Sequence, residues 1–439
     1  MARTKPKTAS VRHTTPIVWH YVQMNDRATN VHFKRLNVRN WRQFDSVAID
    51  FHPQITVLTG ANASGKTTLL NLLGRHFDWI TQYLGSPRMR KRGLSWEIDH
   101  WPEEMASQPH QREIGSLTYS NDVTTPLRVP PASAKYDVQI GNIQVVHGLY
   151  LASHRALSAY QKLTSLPSEF SATDQLFKSY YGEVSNRWRG KHSVKTPMMQ
   201  MKESLIAAAV YGYETPAIEP NSEARQVWEG FQGVLRKVLP TSLGFTEMSV
   251  NPPEVVIRTR TGDFLIDAVS GGISSLIEIS WQIFLRSRQY DSFTVCMDEP
   301  ENHLHPQLQR SIIPSLLSAF PRISFVVATH SPFIVTSVHN SHVYVLDYEG
   351  DAVKTRLLDS ANKAASSDEI LRRVLGLETT IPLWVERQVA EILATFKNSN
   401  LDWSELRRLR AALLDVGLGQ EFPAALDAIT LGENNAPTQ

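Results

Sequence analysis

Apolar and polar residues alternate along VHFKRLNVRNWRQFDSVAIDF (31–51), with a break near Arg42-Gln43, which predicts the two strands of a hairpin. ITVLTG, ending on Gly60, predicts a short apolar strand, and TTLLNLLGRHFDWI after it carries a helical period. Residues 80–135 follow neither period and are rich in proline, serine and charge, so an irregular insertion is expected there. Alternation returns in YDVQIGNIQVVHGLYLASHR, as two strands around Gly141-Asn142 or Gly148, and residues 157–240 read as mostly helical with breaks at Pro167, Pro197 and Pro216. MSVNPPEVVIRTRTGDFLIDAVSGG predicts strands flanking a Thr-Gly-Asp turn. A helix (SSLIEISWQIFLRSRQ), a strand (SFTVCM), a helix (PQLQRSIIPSLLSAF) and two more strands (ISFVVAT, HVYVLDY) follow. From about residue 360 the period is helical again, with no internal repeat and no long heptad run.

This pattern predicts an α/β fold with a mixed sheet, a helical insertion and a C-terminal helical region. The expected divisions are a flexible basic tail (1–30), a first α/β part (31–79), the irregular insertion (80–135), strands with the loop after them (136–160), a helical insertion (161–240), a second α/β part (241–358) and a helical region suited to docking a partner (359–439).

Composition narrows this only a little. A chain of 439 residues holds two or three domains or one large core with insertions, and 42% hydrophobic with 20% charged residues describes a globular protein. Lys+Arg 45 against Asp+Glu 43 leaves +2, so contact with nucleic acid has to come from a local patch. The single cysteine, Cys296, excludes an intramolecular disulfide and a cysteine-based zinc site; it is expected as a small buried hydrophobe in the strand before Asp298. No run approaches the ~18 apolar residues of a membrane span, and the first thirty residues lack the apolar core of a signal peptide. A cytoplasmic location without a membrane partner is expected. Residues 2–15 hold four basic side chains and no acid, which reads as a disordered tail or a phosphate-binding arm.

The chemistry is more specific. GANASGKT (Gly60–Thr67) fits G-x-x-x-x-G-K-[ST] between a predicted strand and a predicted helix. Glycines at 60 and 65 let the backbone curl so that N–H groups from Asn62 to Thr68, Ser64 among them, surround a phosphate chain at a helix N-terminus. Lys66 would neutralise the β/γ-phosphates and Thr67 would offer its hydroxyl to Mg²⁺. Such a site needs a second strand tipped with acid, and FTVCMDE supplies it: Asp298 as magnesium partner, Glu299 to orient or deprotonate the attacking water. The neighbouring ENHLHP does not make a metal hydrolase, because His303 and His305 stand at i,i+2 and face different ways. Glu301 and these histidines are expected to line the nucleotide interface or cap the next helix. Ser270-Gly271-Gly272 opens a helix and forms a second anion-binding arrangement, and His330, ending ISFVVATH, can reach a γ-phosphate or hold the lytic water.

Together these residues resemble the ABC-type P-loop ATPases, in the branch containing SMC, RecF and OLD-family proteins. The match covers the Walker A segment 60–68, the signature 269–273, the Walker B strand 293–299 and the switch histidine 330. Val269 and Ile273 replace the usual Leu and Gln of LSGGQ. The resemblance implies ATP and Mg²⁺ as cofactors and head-to-tail dimers or rings, in which one copy's signature closes over ATP on the other. It also implies a Q-loop glutamine that touches Mg²⁺ and nucleotide, for which Gln161 is the candidate and Gln144 the reserve. Trp41 or Arg42 either contacts adenine, as the first hairpin does in relatives, or simply packs. A GTPase is excluded, because Asn362-Lys363-Ala364-Ala365 lacks the acid that reads guanine.

Roughly 200 residues separate Walker A from the signature, without heptads, which excludes the long coiled-coil arms of SMC proteins. Pro382–Glu386 resembles the first strand of a Toprim nuclease, but Arg387 stands where its glycine is expected and no Asp-x-Asp follows, so no intrinsic nuclease is expected. EPENHLHP, THSPFIV and the compact length resemble the ATPases of prokaryotic antiviral systems of the Septu and PARIS type, which implies a sensor or scaffold beside a separate nuclease or toxin. A RecF-like repair ATPase that binds DNA directly is the alternative. Its local support is Arg187-Trp-Arg-Gly-Lys-His192 and Arg88-Met-Arg-Lys-Arg92, which are phosphate contacts or solvated faces.

Overall fold

A computed structural model describes residues 31–90, 93–97, 111–130, 135–155, 160–191, 193–216, 219–359, 367–375, 383–396, 403–417 and 419. The basic tail 1–30, Lys91-Arg92, His192, Asn362–Ala365 and Pro382 lie outside the described residues.

The hairpin is β1 (Phe33–Trp41) and β2 (Phe44–Asp50), followed by β3 (Ile55–Gly60) and α1 (Lys66–Gly74). Short strands β4 (Tyr83–Leu84), β5 (Ser86–Arg90) and β6 (Gly93–Glu97) precede β7 (Arg112–Tyr119) and β8 (Thr124–Val129). Next come β9 (Lys135–Tyr136), β10 (Gln139–Ile140) and β11 (Gly148–Leu151). Three helices, α2 (Thr173–Trp188), α3 (Pro197–Tyr211) and α4 (Ser222–Val238), fill the helical stretch, with Pro197 at the first position of α3, where its missing N–H costs nothing. A small sheet of β12 (Phe245–Asn251), β13 (Glu254–Thr259) and β14 (Gly262–Leu265) leads into α5 (Gly271–Ser287). The second α/β part is β15 (Thr294–Asp298), α6 (Pro306–Ala319), β16 (Ser324–Ala328), α7 (Pro332–Val335), β17 (His342–Glu349) and β18 (Ala352–Leu357). Helices α8 (Ser367–Arg373), α9 (Leu383–Phe396) and α10 (Trp403–Asp415) close the described chain.

Eleven strands form the main sheet in the order β10-β8-β7-β1-β2-β18-β17-β3-β16-β15-β11. The run from β17 through β3, β16 and β15 to β11 is parallel, whereas β1, β2, β7 and β8 pair antiparallel. The parallel strands are covered on both faces, so they read as continuous apolar runs. Their alternation sorts two cores. Ile55, Val57, Val295, Met297, Phe325, Val327, Val343 and Val345 face α3–α6. Leu58, Cys296, Val326, Ala328, Tyr344 and Leu346 face α1 and the antiparallel hairpins.

Two expectations change here. The stretch 80–135 is not wholly irregular, because β7 and β8 join the main sheet beside β1. The alternation of β7 is broken by a register shift between Glu113 and Gly115, which hides its period. Trp41 is fully buried against Phe44 and Tyr83, with its indole N–H donated to the Tyr136 hydroxyl, so it packs and does not meet adenine. Among the described residues no helix is long and apolar enough to cross a membrane.

Candidate ATP site

β3 lies between β16 and β17, which follow one another in the chain, so the sheet reverses direction of growth at its P-loop strand. Ligands of open α/β sheets bind at such a switch point, beyond the carboxyl ends of the strands. The register sets those ends level: Asp298 stands opposite Ala328, and Ala328 opposite Leu58.

The loop 61–65 is shaped by two glycines. Gly60 and Gly65 have φ of 132° and 98°, and a Cβ on Gly65 would lie 2.4 Å from the Phe44 ring. Gln43 Nε2 and the Tyr348 hydroxyl both donate to the Ala63 carbonyl (3.2 and 3.0 Å), bracing the loop from the β1–β2 turn and from β17. The buried Lys66 ammonium donates to the carbonyls of Gly60 (3.0 Å) and Ala61 (2.9 Å) and to the Ser64 hydroxyl (3.4 Å). Burial lowers its pKa to about 8, against the pull of Glu299, Asp298 and Glu301.

The Thr67 hydroxyl donates to both oxygens of Asp298, at 3.0 and 3.1 Å. Burial raises Asp298 to about 6, although the Thr67 bond opposes it. Asp298, Glu299 and Glu301 thus crowd near one lysine, a surplus of negative charge that a divalent cation would balance. No group of three or more His, Cys, Asp or Glu among the described residues could hold a metal alone. The Thr67 hydroxyl and the Asp298 carboxylate, brought together at the P-loop, are oxygen ligands that would fit Mg²⁺, which keeps several waters.

Glu299 adopts φ 45°, and its Oε1 lies 3.7 Å from His330 Nε2 while Asn302 donates to its Oε2 at 3.1 Å. His330 is shifted below the ordinary imidazole value by burial and by Lys66, so it is neutral near pH 7. Its place is fixed by Glu301. Glu301 Oε1 accepts from the Thr329 hydroxyl (2.6 Å) and from the backbone N–H groups of His330 (2.8 Å) and Ser331 (3.1 Å). Glu301 thus positions the segment 329–331 from beside Lys66, and His305 caps α6, accepting from Gln307 N–H.

Ser270 is the N-cap of α5, and its hydroxyl has no partner among the described residues. Gly272 sits so close to His303 that a Cβ would lie 3.1 Å from its carbonyl oxygen. Val269 and Ile273 pack on the core. No hydrogen bond among the described residues joins Ser270–Gly272 to Gly60–Thr68.

Gln161 is not brought to this site. Its side chain accepts from Thr196 Oγ1 at 2.6 Å, its N–H donates to Asp267 and its carbonyl accepts from Lys202. Lys202 is fully buried and pairs with Glu254 (2.6 Å) and Asp267 (2.8 Å), so Gln161 belongs to a charge cluster below the signature, away from Asp298 and Thr67. Gln144 bonds Asn121 and Asn142, beyond the other end of β11. The loop that follows β11 alongside β15 carries Arg155 instead. It donates to the carbonyls of Glu299 (3.2 Å), Pro300 (3.3 Å) and Ala152 (3.0 Å) and to Ser275 Oγ on α5 (3.3 Å). Arg155 ties the Glu299–Pro300 loop to α5. The signal for it in the sequence is its place just past Leu151, at the end of β11. Arg42 donates to the Leu84 carbonyl at 3.0 Å.

The order of strands around the P-loop, with the acid-tipped strand two places away and the histidine-tipped strand between, is that of an α/β fold of the ABC-type P-loop ATPase kind. Residues 240–336 match a family described as "AAA domain, putative AbiEii toxin, Type IV TA system", and residues 35–93 one described as "AAA domain". More particularly, the chain is similar to Septu protein PtuA of Bacillus thuringiensis, 22% identical over 80% of this chain and 86% of that protein. It is also similar to the "Retron Vc95 probable ATPase" of Vibrio cholerae, 38% identical over 43% of this chain and 37% of that protein. The SMC head domain of Thermotoga maritima overlays on 75% of this chain and 99% of its own at 13% identity, with a TM-score of 0.39.

Proposed function

We propose that the chain binds ATP with Mg²⁺ and hydrolyses it in a composite site completed by a second copy. We further propose that this cycle makes it the sensor and scaffold of an antiphage defence system that controls a separate nuclease or toxin. In this reading the loop amides and Lys66 hold the phosphate chain, and Thr67 with Asp298 hold the metal. Glu299 takes a proton from the attacking water, which His330 helps to orient. Bound Mg²⁺ would neutralise charge on the phosphate oxygens during in-line attack.

The observation that carries the proposal is the split itself. Lys66, Thr67, Asp298, Glu299 and His330 converge, while Ser270 at the N-terminus of α5 is left without a bond to them. An anion-binding helix end of this kind finds its phosphate on a partner turned head to tail. The defence role is supported by likeness to a Septu protein along most of both chains and to a retron ATPase over part. A RecF-like ATPase binding DNA directly is the second reading, favoured by exposed Arg189 and Lys191 beside Trp188.

Native mass spectrometry of Glu299→Gln, purified with ATP from its own genomic context, tests the choice. The expected result is an ATP-loaded homo-oligomer carrying a co-encoded nuclease or toxin. A bare dimer that brings down DNA would move the assignment to the repair ATPase.

A further inference from the structure

Behind the loop after β11 lies a second cavity, of about 570 Å³, between the ends of α2 and α3 and the middle of α5. Its apolar wall includes Leu151, Val184 and Pro197, and Trp188 borders it with 42% of its surface exposed. Two polar side chains line it from one face of α5, a turn apart: Glu278 and Gln282. They are only 6% and 3% exposed, yet Oε1 of each finds no hydrogen-bond partner among the described residues. Buried polar atoms are nearly always satisfied, so two orphan acceptors in one cavity mark a place for N–H donors that the described residues do not supply.

The surroundings restrict the donor. Arg155 and Arg187 also line the cavity, and Arg189 and Lys191 stand exposed just past Trp188. An amine or guanidinium ligand would meet these cations, whereas a neutral, planar heterocycle bearing phosphate would be drawn to them. An indole provides a stacking surface for such a ring. Among nucleobases, guanine presents adjacent ring and exocyclic N–H donors, which two neighbouring acceptor oxygens can take together.

We propose that this cavity is a recognition site for a guanine nucleotide, with Glu278 and Gln282 accepting from the base edge, Trp188 against the ring and the Arg187–Lys191 turn at the phosphate. The ligand is a free nucleotide or a guanosine of a single strand, which share this chemistry. Arg155 lines the cavity and at the same time holds the carbonyls of Glu299 and Pro300, so an occupant touches the residue that sets the catalytic loop. The regulatory part of the inference rests on the proposed ATPase cycle; the binding part does not.

The test is therefore made on the Lys66→Ala chain, whose P-loop is disabled. Isothermal titration measures guanosine monophosphate, adenosine monophosphate and a single-stranded pentanucleotide ending in guanosine. Guanosine monophosphate or the pentanucleotide, or both, is expected to bind at least tenfold more tightly than adenosine monophosphate. Adding Glu278→Gln or Trp188→Ala should weaken that binding at least tenfold. Binding of the mononucleotide identifies a free nucleotide, and binding of the pentanucleotide alone identifies a strand. Glu278→Gln keeps the side chain's shape, and Trp188→Ala changes a half-exposed side chain, so the two report independently of folding. No binding of either guanosine probe, equal binding of the adenosine probe, or binding indifferent to both substitutions would overturn the proposal.

Discussion

Asp298 is the residue at which burial and chemistry conflict most directly. Burial raises its carboxyl from an ordinary 3.8 to about 6. A raised carboxyl binds its proton more tightly in the folded chain. Its contribution to stability is therefore present below the unfolded value and lost as pH rises through 6. At pH 7 without metal, the ionised group costs about 1–3 kcal/mol, since each tenfold change in proton affinity is worth about 1.4 kcal/mol. Asp298→Asn should accordingly raise the unfolding free energy of the nucleotide-free chain by about that amount at pH 7 and by little at pH 4. The same change should abolish the stabilisation that Mg²⁺ and ATP give the wild type. Chemical denaturation across pH 4–7 measures both; identical curves for the two proteins would remove Asp298 from this role. The sequence made this residue legible because its requirement is local: an apolar strand of five residues ending on an acid. Glu301 was legible as a carboxylate, but its work is done on Thr329–Ser331, which only the pairing of β15 with β16 brings beside it.

Among elements, the same distinction separates what could be read from what could not. The parallel strands announce themselves as apolar runs, and the helix starts at Pro197 and Pro306 by proline at the first turn. β7 is hard to read because a bulge breaks its alternation, and β8, which does alternate, is short and carries Pro126 among polar residues. Residue type alone points to Gln161, whereas the neighbour of β15 is the loop that begins directly after Leu151. Arg155 holds that position and joins three elements: the β11 loop, the loop at Glu299 and α5. Arg155→Ala should destabilise the chain by about 1.5–3 kcal/mol, the worth of hydrogen bonds from a charged donor. It should lower kcat more than it changes KM, because Glu299 loses its anchor while the P-loop stays intact. Arg155→Lys should not restore the rate, since an ammonium cannot span the same acceptors. Urea unfolding and steady-state hydrolysis decide this, and a full rate from Arg155→Ala would show that the anchor is dispensable.

For the whole molecule, the central claim is that one chain carries two halves of different ATP sites. Lys66→Ala disables the P-loop half and leaves the signature; Ser270→Arg blocks the signature half and leaves the P-loop. Each protein alone should be inactive. Mixed in equal amounts, random pairing makes half of the dimers mixed, and each mixed dimer has one intact site of two. The account predicts hydrolysis at roughly a quarter of the wild-type rate in the mixture. A mixture as inactive as its components would contradict a site shared between copies.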